Sequence, residues 1–322
     1  MKAIIVGGAG FIGSHTVREF LGNGWEVCVL DSFVQYTNPA LDRTHQYMIE
    51  WRHDNLLKGS TVARCNTRDA ADLRRRITSF NPDVVVTFAS LPLANVAMTY
   101  TEEAKASILD GTCNILECLR DIKNPPRLVY ISSSMVYGDF VKDPMPEDAL
   151  CSPKEIYGSF KLSGEHVVRS YGRVCDIPYT IIRPSSVYGP TDLNNRVVDI
   201  FLKAAIEGTT PDAHNSYRKL DFSFVEDVAK GIYLASTMRN GVGETFNISR
   251  GRARTLDELI DVITQKFQSF KPRILNIPDY RPERGSLDTS KAREMLGYNP
   301  KVDLEYGVVL CTEALIRARA EC

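Results

Sequence analysis

Residues 2–31 constrain this chain more than any other stretch. An apolar run, Ala3-Ile4-Ile5-Val6, passes directly into Gly7-Gly8-Ala9-Gly10-Phe11-Ile12-Gly13, and Phe11 to Gly22 then reads as a helix. Gly7, Gly10 and Gly13 have the spacing G-x-x-G-x-x-G. Glycine is needed where a backbone turns tightly, approaches a pyrophosphate closely and packs a helix against a strand. The helix start then offers free N–H groups and a partial positive charge to the phosphates. A second strand, Glu26 to Leu30, ends at Asp31, the spacing at which a carboxylate grips the ribose hydroxyls of a dinucleotide. That carboxylate repels a 2′-phosphate, and Ser32-Phe33 brings no arginine to receive one. The expected cofactor is NAD rather than NADP.

The alternation continues. Thr61 to Arg64, Asp83 to Phe88, Arg127 to Ile131 and Tyr179 to Arg183 read as strands. Helices are expected over Asp69 to Phe80, Glu102 to Leu119 and Ile156 to Tyr171. Continuous β-branched runs separated by helices predict a parallel sheet covered on both faces. The expected fold class is α/β: a doubly wound parallel Rossmann sheet with a smaller C-terminal α/β substrate lobe. Residues 1–183 form the expected NAD-binding domain and 184–322 the substrate lobe, with the chain crossing between the two. After Pro184, helices are expected near 194–207, 225–238, 255–268 and 303–319, and short strands near 221–224, 244–248 and 273–276. The 31–60 stretch, with Phe33, Tyr36, Tyr47 and Trp51, has no period and receives no assignment.

Charge narrows the partners. The 39 basic and 40 acidic residues leave a formal net charge of −1, which gives no electrostatic footprint for nucleic acid or an anionic membrane. No apolar run is long enough to span a bilayer, and Met1 to Val6 starts a strand without a cleavable signal pattern. The eight cysteines are scattered without Cys-x-x-Cys, so reduced thiols in a cytoplasmic protein are expected; Cys322 carries no function. The five histidines lack ligand spacing, and no metal is expected.

Tyr157 and Lys161 stand four residues apart on a helix, hence on one face. A phenol titrates near 10 unperturbed, so acting as a base near neutrality requires help from neighbouring positive charge. The lysine ammonium and a nicotinamide ring both supply it. Ser132-Ser133-Ser134 follows the fifth strand at the C-terminal edge of the sheet, where a hydroxyl can hydrogen-bond the reacting oxygen of a substrate. Asn66, just past the third strand, either meets the adenine edge or sits in a solvated loop.

These segments together resemble the extended short-chain dehydrogenase family, the NAD-dependent sugar epimerases and dehydratases. The resemblance runs through GGAGFIGSH (7–15), LD (30–31), SSSMVYGD (132–139), YGSFKLSGE (157–165), IIRPSSVYGP (181–190), DFSFVEDVAKG (221–231), FNIS (246–249) and LDTSKAREMLGYNP (287–300). It implies NAD contacts at Gly7, Gly10, Phe11, Ile12, Gly13 and Asp31, at Phe88, Ala89 and Ser90 under the pyrophosphate, and at Pro184 beside the nicotinamide. It also implies Ser133 as the catalytic hydroxyl, Tyr157 as the acid–base tyrosine and Lys161 as its partner, the last two touching the cofactor as well. Substrate contacts are expected at Ser133, Ser134, Ser186, Arg196 and Arg281, and a homodimer through helices near 95–119 and 155–172.

The departures from the family pattern narrow the chemistry. Sugar dehydratases of this type follow the catalytic hydroxyl with Asp-Glu, whereas this chain has Ser134-Met135, and methionine transfers no proton. Leu220 stands where many members place a diphosphate-clamping arginine, leaving Arg196, Arg218, Lys219, Arg281 or Arg284 to compensate. The expected activity is epimerisation of a sugar, foremost a nucleotide sugar, by transient oxidation and hydride return. Net dehydrogenation of a free sugar, sugar acid or other alcohol is the alternative; a dehydratase or a noncatalytic NAD-binding protein ranks below both.

Overall fold

The structure is a computed structural model that describes residues 1–34, 43–91, 93–276 and 281–321. Tyr36 and Cys322 lie outside the described residues. Six strands succeed one another along the first half: β1 (Lys2–Val6), β2 (Glu26–Asp31), β3 (Thr61–Arg64), β4 (Val84–Thr87), β5 (Arg127–Ile131) and β6 (Tyr179–Pro184). A seventh, Thr245–Ile248, joins them, and the spatial order is seventh-β6-β5-β4-β1-β2-β3. Every pairing is parallel. The order reverses between β1 and β4, which opens a crevice at the C-terminal ends of the strands.

Alternate residues explain why both faces are covered. Ala3, Ile5, Val27, Val29, Val86, Val129 and Ile182 pack on one side with Val17 and Phe20 of helix α1 (Phe11–Gly22). Ile4, Val6, Cys28, Leu30, Val85, Leu128 and Tyr130 pack on the other, with Leu73, Ile77, Ile115, Leu116 and Val168 from three helices. Strands buried on both faces have no polar row to show, which is why they read as continuous apolar runs.

The second half is woven into the first. The helix Val225–Thr237 lays Val228, Ile232 and Ala235 on the sheet, and Thr245–Ile248 extends it beside β6. Apolar segments past residue 184 are thus buried in the first layer. The exchange also runs the other way. The unassigned 31–60 stretch contains the helix Arg43–Trp51, whose Met48 enters the second core with Phe201, Phe222, Leu259, Leu304 and Leu315. Three further helices, Val197–Glu207, Leu256–Lys266 and Leu304–Ala320, fall where the periodicity places them, and a short one, Ser290–Leu296, joins them without having been expected. The strand expected at 221–224 is split into Lys219–Leu220 and Ser223–Phe224. Asp221 interrupts it: its buried carboxylate accepts from Ser249 Oγ (2.8 Å), Gly251 N (3.1 Å) and Leu287 N (3.0 Å).

Candidate active site

The glycine turn fits a dinucleotide on steric grounds. A Cβ on Gly13 would stand 2.3 Å from the Gly7 carbonyl oxygen and 2.8 Å from Gly8 Cα, so a side chain there would force the loop open. Gly7 takes φ +75°, a left-handed conformation that favours glycine. Helix α1 starts from Gly10 with no side-chain cap and no acidic residue in its first turn, leaving its amides to an anion. At the tip of β2, Asp31 accepts from Ala9 N (2.9 Å) and Phe33 N (2.8 Å). The carboxylate is thereby fixed against the glycine turn.

A cleft of about 1650 Å³ runs from this turn across the ends of β1, β4 and β5 into the second lobe. A single small-ligand pocket occupies roughly 300–1,000 Å³, so the cleft has room for a dinucleotide and a second ligand. Gly7, Gly10, Phe11, Ile12, Gly13, Asp31, Asn66, Phe88, Ala89, Ser90, Ser133, Tyr157, Lys161, Pro184, Ser186, Arg196 and Arg281 all line it. Ser134 does not; it is buried and bonds Ser185 Oγ at 3.3 Å. Ser133 caps a single 3-10 turn, Ser134–Tyr137, by accepting from Met135 N (3.2 Å), and that turn swings Ser134 inward and Met135 to the cleft.

The helix Ile156–Cys175 presents Tyr157 and Lys161. Glu155 caps it, accepting from Tyr157 N (2.9 Å) and Gly158 N (2.8 Å). Lys161 Nζ donates to Ile131 O (2.8 Å) and stands 5.7 Å from the centre of the Tyr157 ring. Burial lowers the Lys161 pKa to about 7, against the opposing pull of Glu165. Burial also pushes the Tyr157 phenol up, partly offset by the Ser90 and Ser133 hydroxyls and the Arg196 charge. In the chain by itself both groups are thus driven toward their neutral forms, and the phenol holds its proton. A positive charge brought into the cleft moves the tyrosine the other way.

Beneath the serine turn lies a charged layer. Glu165, fully buried, accepts from Ser132 Oγ (2.6 Å), Arg183 Nε (2.9 Å) and Arg183 Nη2 (2.7 Å), and pairs with Arg169 (3.0 Å). Arg183 also donates to Tyr137 Oη (2.9 Å), which in turn donates to Asn247 Oδ1 (2.8 Å). One network therefore ties the serine turn, the tyrosine helix, β6 and the seventh strand together.

The profile of the NAD dependent epimerase/dehydratase family matches residues 3–249. Over 312 residues the chain is 30% identical to a protein described as a putative UDP-glucose 4-epimerase from Methanocaldococcus jannaschii, covering 95% of each. The chain belongs to the NAD dependent epimerase/dehydratase family. It is also 26% identical to the dTDP-glucose 4,6-dehydratase of Salmonella typhimurium, covering 96% of this chain and 91% of that one. Its fold matches the UDP-glucuronic acid 4-epimerase of Bacillus cereus, solved with UDP-glucuronic acid and NAD, with a TM-score of 0.88, 25% identity and coverage of 98% and 99%. The family assignment accounts for NAD as the dinucleotide that the glycine turn and Asp31 fit.

Three functional features of this family member escape sequence reasoning. Arg52 is buried against the glycine turn, donating to Ala9 O (2.8 Å) and to Thr191 O (2.6 Å) in the second lobe. No periodicity or motif around it signals that position. The Glu165–Arg183 pair and the Glu155 cap are likewise products of tertiary placement, although Glu155 three residues before Gly158 is a spacing that an N-cap search can find.

Proposed function

We propose that this chain is an NAD-dependent epimerase of a nucleotide-linked sugar, inverting the hydroxyl at C4. The observation that carries the reading is the convergence of Ser133, Tyr157 and Lys161 on one cleft wall where Met135, and no carboxyl group, occupies the neighbouring position. Gly7, Gly10, Phe11, Ile12, Gly13, Asp31, Asn66, Phe88, Ala89, Ser90 and Pro184 hold NAD, which when bound supplies a reversible hydride acceptor. Tyr157 takes the proton of the reacting hydroxyl and returns it, and Ser133 hydrogen-bonds the same oxygen. Lys161, beside the phenol ring, and the positive charge that bound NAD would bring into the cleft together favour the phenolate. Water loss from the sugar needs a second proton-transferring side chain, which methionine is not. The names of the similar proteins, UDP-glucose and UDP-glucuronic acid 4-epimerases, support C4 and a nucleotide-linked substrate. Ser186, Arg196 and Arg281 belong to the substrate side of the cleft in this reading.

The same reading has a cytoplasmic homodimer, joined through the helices near 95–119 and 155–172, where Met98 and Tyr100 are exposed. No helix among the described residues is long and apolar enough to cross a membrane. Residues 1–183 serve mainly the cofactor and 184–322 mainly the substrate. The test is to release and identify the dinucleotide from purified protein, then incubate the NAD-loaded enzyme with UDP-glucose and with UDP-glucuronate. Expected is the C4 epimer of at least one, with no net rise in NADH absorbance. Stoichiometric NADH accumulation makes the protein a dehydrogenase, and a 4-keto-6-deoxy product makes it a dehydratase; either overturns the proposal.

A further inference from the structure

One guanidinium in the cleft has no role in holding the site together. Arg284 lies on a segment fastened to the loop that follows the Ser133–Tyr137 turn. Phe140 N donates to Glu283 O (2.8 Å), Glu283 N to Asp139 Oδ1 (2.8 Å), Ser286 N to Asp143 Oδ1 (2.9 Å) and Met145 N to Ser286 O (2.9 Å). Next to it, a Cβ on Gly285 would come within 2.6 Å of the Asp143 carboxyl group. The backbone of Arg284 is therefore set rigidly relative to the catalytic serine turn, while its half-buried side chain lines the cleft together with Met135 and Tyr157. Arg218, close by, is engaged with Arg281 O (3.2 Å) and Glu283 (3.0 Å). Arg284 makes no hydrogen bond or ion pair among the described residues. Burial and the charge of Arg281 hold its pKa down to about 10, against the pull of Glu155, so it stays cationic at neutral pH.

We propose that Arg284 receives a carboxylate on the sugar itself, making the substrate class a nucleotide-linked hexuronic acid. The inference rests on the epimerase reading above and deepens it. A partly desolvated guanidinium left facing a neutral hydroxymethyl group gains little, whereas a carboxylate matches its planar fork with two charge-assisted bonds. Its attachment to the serine turn, and the influence of Glu155 at the start of the Tyr157 helix, put this cation at the reacting end of the cleft. The diphosphate of the substrate is the other anion within the same chemistry, and the two are separable.

The experiment compares the NAD-loaded wild type, Arg284→Met and Arg284→Lys on UDP-glucuronate and UDP-glucose. It measures kcat/KM, together with calorimetric binding in a Tyr157→Phe background; bound NAD reports that each variant has folded. Expected is a wild-type preference for UDP-glucuronate. Arg284→Met should lose about 10–100-fold on the acid, the range for a charged hydrogen-bonded contact, with little change on UDP-glucose. Arg284→Lys should recover part of the loss. Equal losses on both sugars assign Arg284 to the diphosphate and overturn the proposal, as does a wild type that prefers UDP-glucose; both leave the epimerase reading standing. Neither sugar binding nor reacting overturns both.

Discussion

Replacing Glu165 by glutamine keeps the shape of the buried network and removes one charge. The wild-type carboxylate is fully buried and faces Arg183, whose side chain is 3% exposed. Burial by itself would raise the Glu165 pKa, yet the hydrogen bonds and charge of Arg183 bring it below the usual glutamate value. Breaking a buried pair from one side costs about 3–5 kcal/mol, because the surviving charge is stranded. Two features favour the lower end. The glutamine oxygen still accepts one bond, and Arg169, 29% exposed, can turn to solvent. Arg183 retains Glu147 O (3.0 Å) and Tyr137 Oη. Taking about 3 kcal/mol and an unfolding entropy of about 2.1 cal/mol/K per residue, the 322-residue chain should lose about 4–5 °C in Tm. Activity should fall too, by about tenfold, since Ser132 loses the acceptor that seats the neighbouring Ser133. Scanning calorimetry with bound NAD matched between samples reads the first effect and steady-state kinetics the second. A double variant, Glu165→Leu with Arg183→Met, should regain much of the stability without regaining activity. A single variant with unchanged Tm and turnover would refute the claim that this pair supports the site.

Tyr157→Phe should lower turnover by about 10²–10⁴-fold while leaving NAD affinity in calorimetry nearly intact, and Lys161→Ala should damage both; near-wild-type turnover in Tyr157→Phe sinks the assignment. Asp31→Ala should narrow the preference for NAD over NADP in parallel titrations, and an unchanged ratio means that the carboxylate does not set it. Asp199, on the helix Val197–Glu207, has its pKa raised from 3.8 to about 6, first by burial and against the ion pair with Lys203 at 2.9 Å. A carboxyl group that binds its proton more tightly when folded contributes stability below about pH 4, which is lost as pH rises through 6. The Tm of Asp199→Asn relative to wild type should therefore climb between about pH 4 and 6 and level off above about 7, and a pH-independent difference removes the argument.

The sheet was legible because each strand is buried on both faces and so spells itself in uninterrupted Val, Ile and Leu. The cofactor turn was legible for a related reason: Gly13 tolerates no Cβ, and a steric prohibition leaves a mark in sequence. The helix Arg43–Trp51 was not, because only Thr44 and Met48 are buried within it, too few to impose a period. The opposite settings of Ser134, buried, and Met135, on the cleft, were not legible for a local reason, since a 3-10 turn rotates successive side chains unlike the strand before it. Arg52 has carbonyl partners on segments far from it in sequence, and nothing within its own neighbourhood announces them.

Arg52 bonds both the glycine turn and Thr191, Met48 sits in the second core, and Thr245–Ile248 returns to the first. The two lobes are accordingly stitched rather than hinged. A homologous enzyme whose lobes meet at one linker can acquire a new substrate half by recombination. The described residues of this chain offer no such seam, because a crossover would orphan a segment already committed to the other side. Changes in what it recognises must then arise by point substitution along the cleft wall, at positions such as Met135, Leu220 and Arg284, where the scaffold is held from elsewhere.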